Sequence, residues 1–271
     1  MREKVVICAA LTGSITSKAN NLNLPINENE IVQAAVMANK AGAAMVHIHV
    51  REYDGSPSLS YSKYQYVIEK IRELCNVIIC ISTSNYGIEI SDNERYELYK
   101  LDADIFSLAF GSLDRPNGKI VNSNAFISNS LEIISSLGKK AEIELFNTVM
   151  IESCYDYVYS HNIRRPYLQY IFGSPGGMKA TYSNISAVIE NTSNNWLWSV
   201  VGVGKMQLPA NIISMTAGAK ILRTGLEDNV YLERGIKASS NSQLVSRLVN
   251  LADLCGYDIA NPNEAKNIIF S

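Results

Sequence analysis

Apolar positions along the chain alternate between two patterns. Short continuous runs rich in Val and Ile recur, and between them lie longer stretches whose apolar residues return at helical spacing. The runs predict strands at residues 5–11, 45–50, 77–82, 105–110, 141–146, 167–172, 198–203 and 219–224. The spaced stretches predict helices at 28–40, 62–74, 92–100, 124–137, 149–160, 182–190, 209–218 and 241–254. Strand and helix thus alternate through eight units. Unbroken apolar strands belong to parallel sheets buried on both faces, and eight such units in roughly 250 residues predict a closed (β/α)8 TIM barrel. An open doubly wound sheet is the alternative, but its first turn usually carries Gly-x-Gly-x-x-Gly, where ALTGSIT holds a single glycine. No linker rich in Pro, Gly or Ser interrupts the pattern, so residues 1–271 are expected to form one barrel domain with a C-terminal helical extension.

Composition narrows the function classes. The 24 Lys and Arg against 26 Asp and Glu leave a net charge of -2, which gives no electrostatic reason to expect nucleic acid or an anionic membrane as partner. No apolar run is long enough for a membrane helix. The five cysteines are scattered and never paired as Cys-x-x-Cys, so neither a disulfide framework nor a thiolate zinc site is expected, and a cytoplasmic location fits. There are three histidines, and two of them, His47 and His49, are one residue apart.

That pair sits near the end of the second predicted strand, in AAMVHIHVRE. Side chains alternate along a strand, so both imidazoles point the same way, and if that way is the barrel lumen they reach the C-terminal mouth where such barrels keep their sites. Two imidazoles there make half of a metal site, or else two hydrogen-bonded core histidines. After the eighth strand, ILRTGLEDNVYLERG places Glu227 and Asp228 on a loop entered through Gly225, with Arg223 four residues before Glu227. One acid could complete a two-histidine, one-carboxylate site, and the other could accept a proton beside an arginine; a solvated turn is the plain alternative. AEIELFN puts Glu142 and Glu144 on one face of the fifth strand, where buried acids are costly unless paired or liganded. CISTSN ends the third strand in the hydroxyls Ser82, Thr83 and Ser84. Gly-rich loops, FGSPGGMKA with Lys179 and VGVGKMQLP with Lys205, could present N–H groups to an anion or simply turn the chain.

Taken together, AALTG, NLNLPIN, AGAAMVHIHVRE, GSPS, IST, AEIELF, FGSPGGM, WSVVGVGKMQLP, RTGLEDNVY, SNSQLV and EAKNII, in order from near the first residue to the last, resemble the zinc-dependent β-keto acid cleavage enzymes. The resemblance implies a (β/α)8 barrel that holds Zn(2+) through His47, His49 and Glu227. It implies conversion of a β-keto acid and acetyl-CoA to acetoacetate and a new acyl-CoA, with Asp228 as general base and Arg223 and Ser82 setting its charge and position. Glu144 matches the family acid for a cationic substrate group, and Thr83, Ser107, Gly111 and Lys205 are expected around the substrate. A homotetramer is implied as well. Ile15 stands where the aminohexanoate-cleaving members have a second acid for the substrate amine, so of that pair only Glu144 remains. Lys205 stands where an arginine is common, a point charge in place of a planar fork. Two other readings remain: a metal-dependent hydrolase on the same barrel, and a catalytically silent barrel that binds acyl-CoA or keto acid.

Overall fold

A computed structural model describes residues 2–116 and 118–271. Its frame is eight strands: β1 (Lys4–Ala10), β2 (Met45–Ile48), β3 (Ile78–Ser82), β4 (Ile105–Ala109), β5 (Lys140–Leu145), β6 (Tyr167–Phe172), β7 (Leu197–Gly202) and β8 (Ile221–Thr224). They pair in the order β7-β6-β5-β4-β3-β2-β1-β8, every ladder parallel. The end strands β7 and β8 pack side by side, which closes the ring into a (β/α)8 TIM barrel.

The helices are α1 (Glu28–Lys40), α2 (Tyr61–Leu74), α3 (Asp92–Glu97), α4 (Asn124–Ser136), α5 (Thr148–Ser160), α6 (Tyr182–Glu190), α7 (Gln207–Thr216), α8 (Asn241–Leu254) and α9 (Pro262–Phe270). Local chemistry explains where most begin. Asn27, Ser60, Ser91, Ser123, Asn147, Thr181, Ser240 and Asn261 each accept a first-turn N–H, and at Asn27, Ser91 and Asn261 a Glu three residues on closes a capping box.

Inward positions on the strands form layers. The lower layer is apolar, with Val6, Met45, Ile78, Ile105, Tyr167, Leu197 and Ile221 in one buried cluster. The same cluster takes in Ala265 and Ile269 of α9, so the last helix caps the floor of the barrel. A two-residue strand, Asp258–Ile259, pairs in parallel with Lys4 and Val5 and fixes that helix in place. Two residues further up the strands the lining turns polar: His47, Glu142, Gln169, Ser199 and Arg223, all buried.

The predicted elements recur with local changes. The second strand ends at Ile48, and Val50–Arg51 leaves it to form an antiparallel hairpin with Pro57–Ser58. The predicted helix 92–100 tightens into a 3-10 turn at Leu98–Lys100. Two further hairpins, Leu113–Arg115 with Gly118–Ile120 and Tyr231–Glu233 with Ile236–Lys237, rise from loops in which no strand was expected. Among the described residues no helix is long and apolar enough to cross a membrane.

Candidate functional site

The mouth of the barrel encloses a cavity of about 340 Å³, and His49, Ser82, Glu144, Arg223, Glu227 and Asp228 all line it. His47 lies directly beneath, fully buried. Strand alternation brings the two imidazoles together, with ring centroids 5.1 Å apart. Glu227 comes to them from the loop after β8. Its Oε1 is 3.5 Å from His49 Nε2 and 3.7 Å from His47 Nε2.

Two glycines permit this approach. Gly225 has φ +145, and a Cβ there would stand 2.0 Å from the Ala10 carbonyl oxygen, so only glycine lets the loop cross β1. Gly13 has φ +68, and its missing Cβ leaves room for the Glu227 side chain, whose Cγ would otherwise be 2.6 Å away. The loop carrying Gly13 is pinned by Arg51, which donates to the carbonyls of Gly13 (2.7 Å) and Thr16 (2.8 Å). The sequence reading gave Arg51 no role; its place in VHIHVRE, one step past the histidines, was the available signal.

One ligand atom from each of His47, His49 and Glu227 lies within 4.8 Å of the others. Buried His47 Nε2 and Glu227 Oε2 have no hydrogen-bond partner, an arrangement that is costly unless a cation satisfies both. The donor set, two imidazoles and a carboxylate, is one that catalytic zinc accepts with a position left open. A second cluster, His47, Cys80 and Glu142, shares one histidine with the first. There burial and Glu142 raise the Cys80 thiol well above its ordinary value. Glu142 Oε1, 3.5 Å from His47 Nδ1, instead orients the ring from behind.

Arg223 organises the two loop acids. Its Nε donates to Asp228 Oδ2 at 2.8 Å and Nη2 to Asp228 Oδ1 at 3.1 Å, while Nη2 also reaches Glu227 Oε1 at 2.7 Å. Nη1 donates to Gln169 Oε1 at 3.0 Å, so the fork is held from across the barrel. The acids are tuned apart. Burial opposes ionisation of Glu227, yet Arg223 and the two histidines hold it well below the usual carboxylate range. Asp228 is raised by burial and by the Glu227 charge, against Arg223. A carboxylate whose proton affinity is raised while it faces a cavity is suited to general base work.

Of the other expected residues, Ser82 lines the cavity, and its Oγ accepts the Ser84 N–H at 3.2 Å. Glu144 lines it too, pushed up to about 7 by burial in the first place, with Glu142 adding to the shift. Ser107 is buried below the cavity, its hydroxyl unpartnered. Thr83, Gly111 and Lys205 are not part of the cavity wall. Thr83 is fully buried and donates to the Ser107 carbonyl at 2.6 Å, which makes it a strand-end clasp. Gly111 packs against Met150, and Lys205 is exposed on the turn after β7. From the glycine loop after β6, Gly173 and Ser174 do reach the cavity. Arg115, on the hairpin after β4, lines it as well and was missed.

The family model described as beta-keto acid cleavage enzyme matches residues 4–270. A 3-keto-5-aminohexanoate cleavage enzyme of Fusobacterium nucleatum is 34% identical across 99% of this chain and 98% of its own length. A 3-oxoadipate:acetyl-CoA acetyltransferase of Cupriavidus necator is 29% identical, over 99% of this chain and 95% of that protein. Among solved structures, a ternary complex of ObcA with a C4-CoA adduct and oxalate superposes with a TM-score of 0.78, at 16% identity, covering 91% of this chain and 67% of that one; it supports the fold. The chain therefore belongs to the beta-keto acid cleavage enzyme family.

Proposed function

We propose that this chain is a zinc-dependent acyltransferase that converts a β-keto acid and acetyl-CoA to acetoacetate and a new acyl-CoA. The observation that carries the reading is the meeting, in one cavity of a family member, of the His47, His49 and Glu227 ligand set with an acid, Asp228, braced on Arg223. Relatives named as acetyl-CoA-dependent transferases support the co-substrate.

In this reading His47, His49 and Glu227 hold the ion, and Glu142 keeps the His47 ring turned toward it. When bound there, zinc would supply Lewis-acid polarisation of the substrate, making the carbon beside its keto group more acidic. Asp228 takes the proton from that carbon. Its raised proton affinity favours acceptance, and the two bonds from Arg223, one to each oxygen, fix the orientation of the carboxylate at the cavity wall. Ser82, at the end of the neighbouring strand β3, supplies a hydroxyl to orient a substrate oxygen. The carbon nucleophile attacks the acetyl-CoA carbonyl and forms a new carbon–carbon bond. The CoA sulfur then leaves that carbon for the neighbouring keto carbon, cleavage of the original carbon–carbon bond releases the new acyl-CoA, and Asp228 returns its proton to the carbon of acetoacetate. Atoms balance without a redox partner.

The hydrolase reading would need a further metal set. Among the described residues the other cluster, His47, Cys80 and Glu142, shares His47 with the first and so is not an independent second set. The test is mass spectrometry of CoA esters formed from acetyl-CoA with cationic, neutral and acidic β-keto acids. Acetoacetate and a new acyl-CoA in equal amounts are expected for at least one acid; none across the panel contradicts the proposal. A homotetramer in the cytoplasm belongs to the same reading, and light scattering on purified protein tests the assembly.

A further inference from the structure

The metal ligands and the base occupy one side of the mouth, on β2 and the loop after β8, strands that flank β1. Four steps round the ring, the ends of β4 and β5 carry a different pair, Arg115 and Glu144. Arg115 projects from the Leu113–Arg115 strand of its hairpin, and its guanidinium stands 5.2 Å from the Tyr86 ring and 5.1 Å from the Phe146 ring. These two aromatic neighbours hold the cation by its face, and among the described residues no hydrogen bond claims its donors. Nε is buried with no hydrogen-bond partner, and among the described residues no carboxylate lies within 4.0 Å of the group. Glu144 is near enough to stabilise the charge but does not form an ion pair. The hairpin is held close to the barrel by Gly176, where a Cβ would lie 2.1 Å from the Asp114 carbonyl oxygen.

By contrast the other cavity arginine, Arg223, is fully engaged by Asp228, Glu227 and Gln169. Among the described residues Arg115 is thus the cavity cation with capacity to spare, and Ile15 adds no opposing acid. In the acyl-transfer reading, a β-keto acid whose reacting end lies beside His49, Glu227 and Asp228 would direct its remaining carbons toward Arg115 and Glu144, which line the same cavity.

Resting on the acyl-transfer reading above, we infer that Arg115 receives a second carboxylate at the far end of the substrate, so that the enzyme prefers β-keto dicarboxylic acids to cationic ones. Glu144 in its protonated form donates to the same carboxylate, and the raised proton affinity given by burial suits it to that role.

The test compares three six-carbon substrates, 3-oxoadipate, 3-oxohexanoate and 3-keto-5-aminohexanoate, on the zinc-loaded protein and its Arg115→Gln and Arg115→Lys variants. Wild type is expected to favour 3-oxoadipate. Arg115→Gln should lower kcat/KM for that acid ~10- to 100-fold, the scale of a charge-assisted contact, with little change for 3-oxohexanoate or in KM for acetyl-CoA, and Lys should restore part of the loss. A wild-type preference for the amine, or a rise in acetyl-CoA KM on Arg115→Gln, overturns the inference. Calorimetry of 3-oxoadipate binding without acetyl-CoA separates the two claims. Binding that weakens in Arg115→Gln, with no CoA ester formed by wild type, contradicts the acyl-transfer reading but keeps the carboxylate site. Binding indifferent to Arg115 overturns the site.

Discussion

The floor and the mouth of this barrel are built from the same eight strands, two residues apart, yet they obey different rules. At the floor Val6, Met45, Ile78, Leu197 and Ile221 meet Ala265 and Ile269 of α9, and packing supplies the stabilisation. At the mouth the same inward positions carry His47, Glu142 and Arg223, and leaving His47 Nε2 and Glu227 Oε2 buried without partners carries a cost that a bound cation would offset. The lesson is that the floor keeps the ring rigid so that the mouth can hold charges apart in unsatisfied positions, where they are available for chemistry.

The comparison breaks most visibly if a mouth residue turns out to matter for packing alone. Asp228→Asn keeps the shape and part of the Arg223 contact but removes the base, so turnover should fall roughly a hundredfold or more while metal content stays at the wild-type level; steady-state rates and elemental analysis on one sample check this. Near-normal turnover would remove Asp228 from that role. At the floor the expectation reverses. Ile269→Ala should cost about 2–4 kcal/mol of unfolding free energy in denaturant titration, with kcat at low temperature close to wild type. Lost activity without lost stability would mean that α9 takes part in more than closure.

A smaller effect concerns Glu144, whose folded-state value is raised to about 7 from an ordinary 4.5. A raised folded value means that the fold binds the proton more tightly than the unfolded chain does. The stabilisation is complete below about 4.5 and is lost as pH rises through about 7. Glu144→Gln should therefore gain melting temperature relative to wild type on going from pH 5 to pH 8. An unchanged difference across that range would show that the carboxyl is not held neutral by the fold.

Much of the floor's logic was legible in the sequence, because buried parallel strands leave unbroken apolar runs and helices between them begin at Ser, Asn or Thr caps. The pairing of His47 with His49 followed from strand alternation alone. That Glu227, 178 residues beyond His49, reaches them required the resemblance first and then the ring closure of β8 beside β1. Residues whose place depends on loop geometry were harder. Thr83 and Lys205 looked like cavity groups, but one hydroxyl is taken by a neighbouring strand and the other side chain sits on an exposed turn. Arg115, in LDRPNGKI, was given no role from the sequence; the apolar Leu113 and Ile120 on either side of an Asn-Gly pair were the available hairpin signal. Arg51 likewise shows its part only when the loop it pins is seen beside the histidines.

The most direct test is reconstitution of metal-free protein. With chelated enzyme titrated by zinc, acyl-CoA formation from acetyl-CoA should rise from background to a plateau at one ion per chain, and Glu227→Gln should need a higher zinc concentration to reach its own plateau. Undiminished acyl-CoA formation by the metal-free enzyme, or zinc uptake indifferent to Glu227→Gln, would contradict the account.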